Sequence, residues 1–580
     1  MEAMEGSDGR ACGFTTHQAP PPAAAAAANP GTAAAAATVD VIVIGGGVGG
    51  LATAGRLAKA GLSVTVLEKN GEVGVRAQSV ELGGCRFDTG PSLLLFPDKY
   101  KEAFQALGSR LEEHVTIKRV EPAAYRVWFG DGTHLDLLND HDAMAEQLER
   151  VERGAGEAFR RFVAMARASL DMGMPNFIER DFNSLSDARA LGAALLPLLP
   201  QINLLDLLAP HDARLKRFFR DPRLRAMFTF QDLYVGLTPY TAPAVFSLLA
   251  GTELTDGVWY PLGGFGQVVK GLAAAAQACG ARIKTDCEVV RILTDPAGGA
   301  ATGVQLSNGD ILPARAVVCN RDLPAAYELL LPNGASMAQL HRSAGSDSSS
   351  ISSKDAGTTS TSSHATTGRT KLQEYARDKS KQLGGLQYST GVISFNWCVD
   401  RRLERLRHHN VFLSDDYKQS WVPAATPAQL CRRPNFYCHV PARTDPSAAP
   451  EGCDSVMVLL PVANMQQRSG DYPDLVAAGR QRVLQAFKES GVGDIEASIS
   501  HELVITPDQW TQRYGLRHGA AFGLAHGLDQ LSVFRPGSKD SRIKGLYFVG
   551  ASSRPGNGVP LCLISGKLTA ERVLSDWPLV

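Results

Sequence analysis

The chain has 580 residues, with 59 basic and 59 acidic side chains and a formal net charge of zero. That length exceeds one small core and implies two or more lobes, and the balanced charge gives no sign of a nucleic-acid or acidic partner. No uninterrupted apolar window of about 18 residues occurs, so no transmembrane helix is expected. The ten cysteines are scattered without a C-x-x-C pair, which fits reduced, mostly buried thiols.

Residues 1–37 are Ala/Pro-rich, with runs at Ala23–Ala28 and Ala33–Ala37, and are read as a disordered extension outside the fold. As a targeting segment they are atypical. Transit peptides are Arg-rich and acid-poor, whereas this stretch has one arginine, Arg10, beside Glu2, Glu5 and Asp8.

Organised structure is predicted to begin at Val39. The β-branched run from Val39 to Ile44 reads as a buried parallel strand. Gly45, Gly47 and Gly50 then form G-x-G-x-x-G, a helix follows over about 51–60, and a second strand over 62–67 ends in Glu68. Gly45 permits the tight turn, Gly47 lets the backbone approach a pyrophosphate, and Gly50 lets the helix pack on the strand. The helix N-terminus offers unpaired N–H groups to the phosphates. Glu68 stands where a carboxylate accepts hydrogen bonds from the ribose hydroxyls, which favours FAD or NAD over NADP. Arg76 follows closely, either as a cation facing the pyrophosphate or as a surface arginine.

Residues 100–255 read mainly as helices with a few strands. Within the region, Leu191 to Ala209 is dense in leucine and broken by prolines; it is either a buried helix pair or a helix lying in a membrane face. Tyr260 to Gly266 is a glycine-rich turn before a helix over 267–279. Residues 281–292 alternate as one strand, 303–306 pairs with Ile311 across the Asn308-Gly309 turn, and 316–320 is another buried strand. Residues 343–370 form a Ser/Thr/Gly-rich tract, expected to be a disordered loop. Strands are expected at 391–397, 436–440 and 455–462. Residues 401–409 are charged and read as an exposed loop or helix. The pair His408-His409 lacks a partner at ligand spacing in the sequence, so no metal is expected. The chain closes with a strand over 545–550, a loop from Ala551 to Pro560 and a helix over about 561–575. This second strand–loop–helix unit suits the far end of an extended cofactor, so FAD is favoured, with its isoalloxazine at the second site.

Five stretches resemble the phytoene desaturase family of FAD-containing carotene desaturases and isomerases, most closely the fungal type. They are Phe87 to Leu95, Leu233 to Pro243, Gly257 to Pro261, Pro446 to Gly452 and Val549 to Pro560. The resemblance implies an α/β fold like the flavin amine oxidases: a Rossmann-like FAD-binding domain (38–100, 260–325 and 541–580), a mixed-sheet substrate domain with a helical membrane-facing region (101–259 and 371–540), and the Ser/Thr loop between. It implies cofactor-binding roles for Gly45, Gly47, Gly50, Glu68 and Arg76, for Val289 beside the adenine, and for Gly550, Gly558, Val559 and Pro560 beside the flavin ring. Two departures from the family pattern are Val75, where glycine is usual, and Arg554, where histidine is common.

The resemblance further implies dehydrogenation of an acyclic carotene such as phytoene. Oxidised flavin accepts the hydride, so no Ser-His-Asp triad is expected, and no catalytic side chain is assigned. Asp187 is a poor match to an acidic position of bacterial relatives. With one dinucleotide fingerprint, reoxidation by quinone or oxygen is expected rather than by a nicotinamide. A hydrophobic polyene substrate implies peripheral membrane association, at a plastid membrane or the cytoplasmic face of another. A carotene cis-trans isomerase, a retinol-saturase-like or amine-oxidase-like flavoenzyme, and a non-catalytic flavoprotein or scaffold remain as alternatives.

Overall fold

The computed structural model describes residues 38–182, 209–331 and 363–577, with a few isolated positions between 183 and 208. The expectations for residues 1–37, for 343–362, for Asp187 and for most of Leu191–Ala209 lie outside the described residues.

The first sheet is built on β1 (Val39–Ile44). It lies between β2 (Val64–Leu67) and β3 (Ile311–Cys319) and runs parallel to both. A short strand β4 (Leu546–Phe548) pairs parallel with β3. Val41 to Ile44 are almost wholly buried, as a strand covered on both faces requires. Two helices pack together over this sheet, α1 (Val48–Lys59) and α2 (Val559–Asp576). A Cβ at Gly566 of α2 would stand 2.7 Å from the Ala52 Cβ of α1, so glycine there sets the close approach of the two helices.

The single strand expected over 281–292 is two strands at opposite edges of this sheet. Arg282–Lys284 extends it beside β2, while Val289–Thr294 pairs antiparallel with Ala301–Leu306 at the far edge. Between them Asp286 adopts φ 53°, and the N–H groups of Asp286 and Cys287 donate to the carbonyls of Asn70 and Glu68. Period-two alternation runs on through such a crossing because the chain stays extended on either side of it. The expected hairpin is present, with Gln305 opposite Ile311.

The second sheet has the order 499–505, 391–399, 454–462, 436–439, 409–412, 123–128 and 134–138. It holds the strands expected at 391–397, 436–440 and 455–462. Gly391–Val399 is buried throughout, with Phe395 and Trp397 at the centre of its core. Residues 401–409 are only in part the exposed segment expected. Leu403, Leu406, His408 and His409 are buried, and His409–Phe412 is a strand. Arg443 fixes this segment by donating to the carbonyls of Leu403 and Leu406 and to both oxygens of Asp454. Arg402, Glu404 and Arg405 stay exposed while Leu403, Leu406, His408 and His409 turn inward, a division that composition does not reveal. The helix Ser363–Gly384 takes in residues 363–370, the end of the Ser/Thr-rich tract.

No helix among the described residues is long and apolar enough to cross a membrane. The nine described cysteines are free.

Candidate functional site

The glycine turn after β1 is built as its spacing predicts. Gly45 has φ +97°, and a Cβ at Gly50 would fall 2.2 Å from the Gly45 carbonyl oxygen and 3.3 Å from Val43, so the first turn of α1 rests directly on the strand. Gly47 is the N-cap of α1 and has no side-chain cap, which leaves the first-turn N–H groups open to an acceptor from outside.

The second loop meets the first at Asn320, a residue the sequence reading missed. Asn320 follows β3, its backbone N–H donates to Ile44, and its side-chain amide donates to the Gly45 carbonyl at 3.2 Å. Its carboxamide also abuts Gly550, where φ is +105° and a Cβ would stand 2.5 Å from Oδ1. A Cβ at Gly47 would come within 2.9 Å of Nδ2. One carboxamide thus lies against both glycine loops. Only a strand pairing across 275 positions brings it there.

The remaining predicted residues take up places around these loops. Glu68 ends β2 with its carboxylate buried; one oxygen accepts from Gly46 N–H at 2.8 Å and the other from Asn70. Arg76 lies in a short 3-10 turn, near enough to Cys562 on α2 and to Asp322 to act on both electrostatically. The neighbouring Gly74 has φ +71° and packs on Val269, leaving no room for a Cβ. Val289 is buried at the start of its strand, two residues beyond the Cys287 N–H that donates to Glu68. Gly558 is the N-cap of α2, with Val559 and Pro560 in the first turn, where proline's missing N–H costs nothing.

Arg554 is neither a cation free to face a flavin ring nor a surface residue. It is buried, and its guanidinium donates to the carbonyls of Ser532, Val533 and Arg535 and to Asp181 at 3.2 Å. Its charge is committed to a structural tie.

The five stretches that carried the resemblance converge in space. Asp88 accepts from Ser79, from the Tyr260 hydroxyl and from Phe265 N–H, and burial pushes its carboxyl above the usual range. Leu94 and Trp259 exchange backbone hydrogen bonds. Arg86 pairs with Asp445 at 2.5 Å, and Asp445 also accepts from Gly263 N–H, joining the second sheet to the glycine-rich turn. Asn557 donates to the Tyr234 carbonyl at 2.8 Å, which fastens the last loop to the segment Leu233 to Pro243.

Beneath this junction lies a buried polar network. The Glu253 carboxylate accepts from the Tyr125 hydroxyl at 2.8 Å and from Gln231 at 2.9 Å, and Tyr125 bonds the Tyr234 hydroxyl at 3.0 Å. Glu253 is fully buried, and burial raises its carboxyl to about 7. The strand register His409↔His439 also brings a third imidazole to the pair His408-His409, their nitrogens lying within 4.8 Å of one another. Burial keeps these rings neutral, with His439 lowered to about 3. They bond one another and Tyr437 rather than a carboxylate.

These residues fit a dinucleotide cofactor: a glycine cradle that any Cβ would fill, open helix N-termini at two loops, a carboxylate at the end of β2 and a cation between. The family model for flavin containing amine oxidoreductases matches residues 48–353. The phytoene desaturase of Phycomyces blakesleeanus is 35% identical over 541 residues, covering 92% of this chain and 84% of that protein. The chain belongs to the phytoene desaturase family. It is therefore a flavin oxidoreductase, and the cofactor of its family is FAD. Other members are similar to the same degree: the zeta-carotene-forming phytoene desaturase of Myxococcus xanthus is 35% identical over 530 residues, covering 91% of this chain and 92% of that one. Among solved structures, an oxidoreductase from Methanosarcina mazei matches with a TM-score of 0.54 at 18% identity, over 92% of this chain and all of that one. A redesigned putrescine oxidase matches with a TM-score of 0.55 at 12% identity, over 93% and 99%. At such identities these likenesses speak to the fold alone, and the fold is the amine-oxidase-like α/β class expected from the sequence.

Proposed function

We propose that this chain dehydrogenates an acyclic carotene such as phytoene, using FAD held between the two glycine loops. The observation that carries the reading is 35% identity to phytoene desaturases over nine-tenths of the chain, with the matched stretches packed around one junction.

In this reading Glu68 accepts hydrogen bonds from the adenosine ribose, Val289 lies beside the adenine, and the N-terminus of α1 with Arg76 holds the pyrophosphate. Gly550, Gly558, Val559 and Pro560 form the loop against the ring, and the N-terminus of α2 favours negative charge there. Bound FAD supplies hydride acceptance, which no side chain can provide. The strands of the first sheet make up the FAD-binding domain and those of the second the substrate domain.

The finer features are also proposals. Reoxidation by quinone or oxygen is supported by the single glycine fingerprint. Peripheral membrane association is supported by the insolubility of a C40 hydrocarbon and by an exposed apolar loop, where Leu528, Val533 and Phe534 are 40%, 37% and 70% accessible. A plastid membrane or the cytoplasmic face of another membrane suits such a substrate.

Expression in a phytoene-accumulating bacterium tests the reading. We expect more conjugated carotenes, each step lowering the mass by two hydrogens, and bleaching of oxidised flavin when substrate is added anaerobically. A product of unchanged mass, formed only with prereduced flavin, would instead make the protein an isomerase.

A further inference from the structure

Dehydrogenation of a C–C bond removes a hydride and also a proton, and the proton needs a destination inside a hydrocarbon-binding site. Such a site is dry, so the acceptor has to be built from the protein. The network under the last loop has the form of one. Glu253 lies on the helix Ser247–Thr255, Tyr125 on the strand Ala123–Trp128, and Gln231 and Tyr234 on the turn Phe230–Val235. Both oxygens of Glu253 are occupied, one by Tyr125 and one by Gln231. Since Tyr125 donates to Glu253, its own oxygen accepts from Tyr234, and the three groups form a chain of hydroxyls pointing toward the carboxylate.

The exposure along this chain is graded. Glu253 and Tyr125 are fully buried, whereas Tyr234 is half-buried. Tyr234 is also the member attached to the last loop, through the hydrogen bond from Asn557. That bond goes to the Tyr234 backbone carbonyl, so the last loop fastens the residue whose hydroxyl begins the chain, and the other end of the chain is Glu253 in the protein interior.

We propose that Glu253 is the terminal proton acceptor of the dehydrogenation, reached through the hydroxyls of Tyr234 and Tyr125. The inference rests on the desaturase reading. In the step, one C–H bond of the substrate breaks with its electron pair passing to oxidised flavin as hydride. The adjacent C–H bond then breaks, its pair forms the new C=C bond, and its proton passes to the Tyr234 oxygen. Tyr234 releases its own proton to Tyr125, and Tyr125 releases its proton to Glu253. The carboxylate becomes a carboxylic acid, and the hydroxyl chain now points the other way. Tyr234 is the group that touches the substrate; Tyr125 and Glu253 act through it.

The surroundings suit an acceptor that is charged in one state and neutral in the next. The groups packed against Glu253 are Tyr125, Tyr234, Gln231 and, through space, Tyr437, and the His409 ring lies on Tyr125. Their hydroxyls, amide and neutral imidazole carry no fixed charge at neutral pH. Among the described residues no lysine or arginine acts on the carboxyl, so it gains a proton near pH 7 rather than at the usual carboxylate range.

The test uses the flavin-loaded protein in three variants, Glu253→Gln, Glu253→Asp and Tyr234→Phe. Anaerobic single-turnover product formation from phytoene in liposomes is followed against pH. We expect Glu253→Gln and Tyr234→Phe to slow product formation about a hundredfold with FAD content unchanged, the acid limb of the wild-type pH profile near 7 to vanish in Glu253→Gln, and Glu253→Asp to recover part of the rate. Infrared difference spectra of the oxidised protein, taken without substrate, give a reading apart from activity. A carboxylic-acid carbonyl band should titrate near pH 7 in the wild type and Tyr234→Phe and be missing from Glu253→Gln. Wild-type rates in folded Glu253→Gln or in Tyr234→Phe would overturn the proposal, as would the absence of that band. A wild-type protein that shows the band but dehydrogenates no acyclic carotene would overturn the desaturase reading instead.

Discussion

A carboxyl buried beside two tyrosines with no cation ties stability to pH. Glu253 has an ordinary value of 4.5 and about 7 in the folded protein, raised first by burial. The folded value lies above the unfolded one, so the folded chain holds the proton more tightly. This contribution is complete below the unfolded value and is lost as pH rises through 7; the shift corresponds to about 3 kcal/mol. Urea denaturation of the wild type should therefore shift to lower midpoints between about pH 5 and pH 8 by more than that of Glu253→Gln, whose amide does not titrate. Equal pH slopes in the two proteins would show that the carboxyl is not buried in this way. Glu253 also marks a limit of sequence reading. Inside Leu-Leu-Ala-Gly-Thr-Glu-Leu-Thr it resembles any helix-surface acid, and only the fold supplies Tyr125 from 128 positions away. Asn320 is similar: its neighbours Val318 and Cys319 read as buried strand, and nothing local announces that its amide serves two glycine loops. The glycines, by contrast, were legible because each is demanded by its own turn.

At the scale of elements, the loop from Leu528 to Phe534 combines an apolar tip with a rigid base. Arg554 and Arg535 hold the base: Arg554 donates to Ser532 and Val533 carbonyls, and buried Arg535 donates to the carbonyls of Leu524, Ala525, Gln530, Ala551 and Ser553. Val533 and Phe534 thus protrude from a fixed platform, as the proposed membrane association requires. Val533→Ser with Phe534→Ser should weaken co-sedimentation with liposomes severalfold while leaving FAD content and melting temperature unchanged. Undiminished liposome binding would show that this loop is not a membrane contact. This loop gave no sequence signal, because three exposed apolar residues at such spacing have no periodicity. Elements with a strong local signal were recovered with small boundary shifts: the helix expected over 51–60 runs Val48–Lys59, and the last, over 561–575, runs Val559–Asp576. The strand over 281–292 failed where pattern is blind, at a crossing between sheet edges.

Across the whole molecule, the cradle is assembled from three distant parts of the chain: β1 and α1 near the start, β3 with Asn320 in the middle, and β4 with α2 at the end. The parts meet through Gly45, Asn320 and Gly550, and through α1 packing on α2 at Ala52 and Gly566. A ligand bound across all three is present only when they are assembled, so FAD should act as a fastener of the fold. Binding to the folded state alone adds about 2.7 kcal/mol at a hundredfold excess of ligand over its dissociation constant. The FAD-loaded protein should consequently melt several degrees above the same protein stripped of FAD. Gly47→Val tests where that stabilisation originates. A valine there would reach the Asn320 amide, 2.9 Å from the Cβ position, and would stand over the open N-terminus of α1. The variant is expected to purify without flavin and to melt at one temperature whether or not FAD is added. If it instead retains a full complement of FAD and the wild-type shift, the pyrophosphate does not lie on this turn, and the assignment of Gly45, Gly47 and Gly50 to the cofactor falls with it.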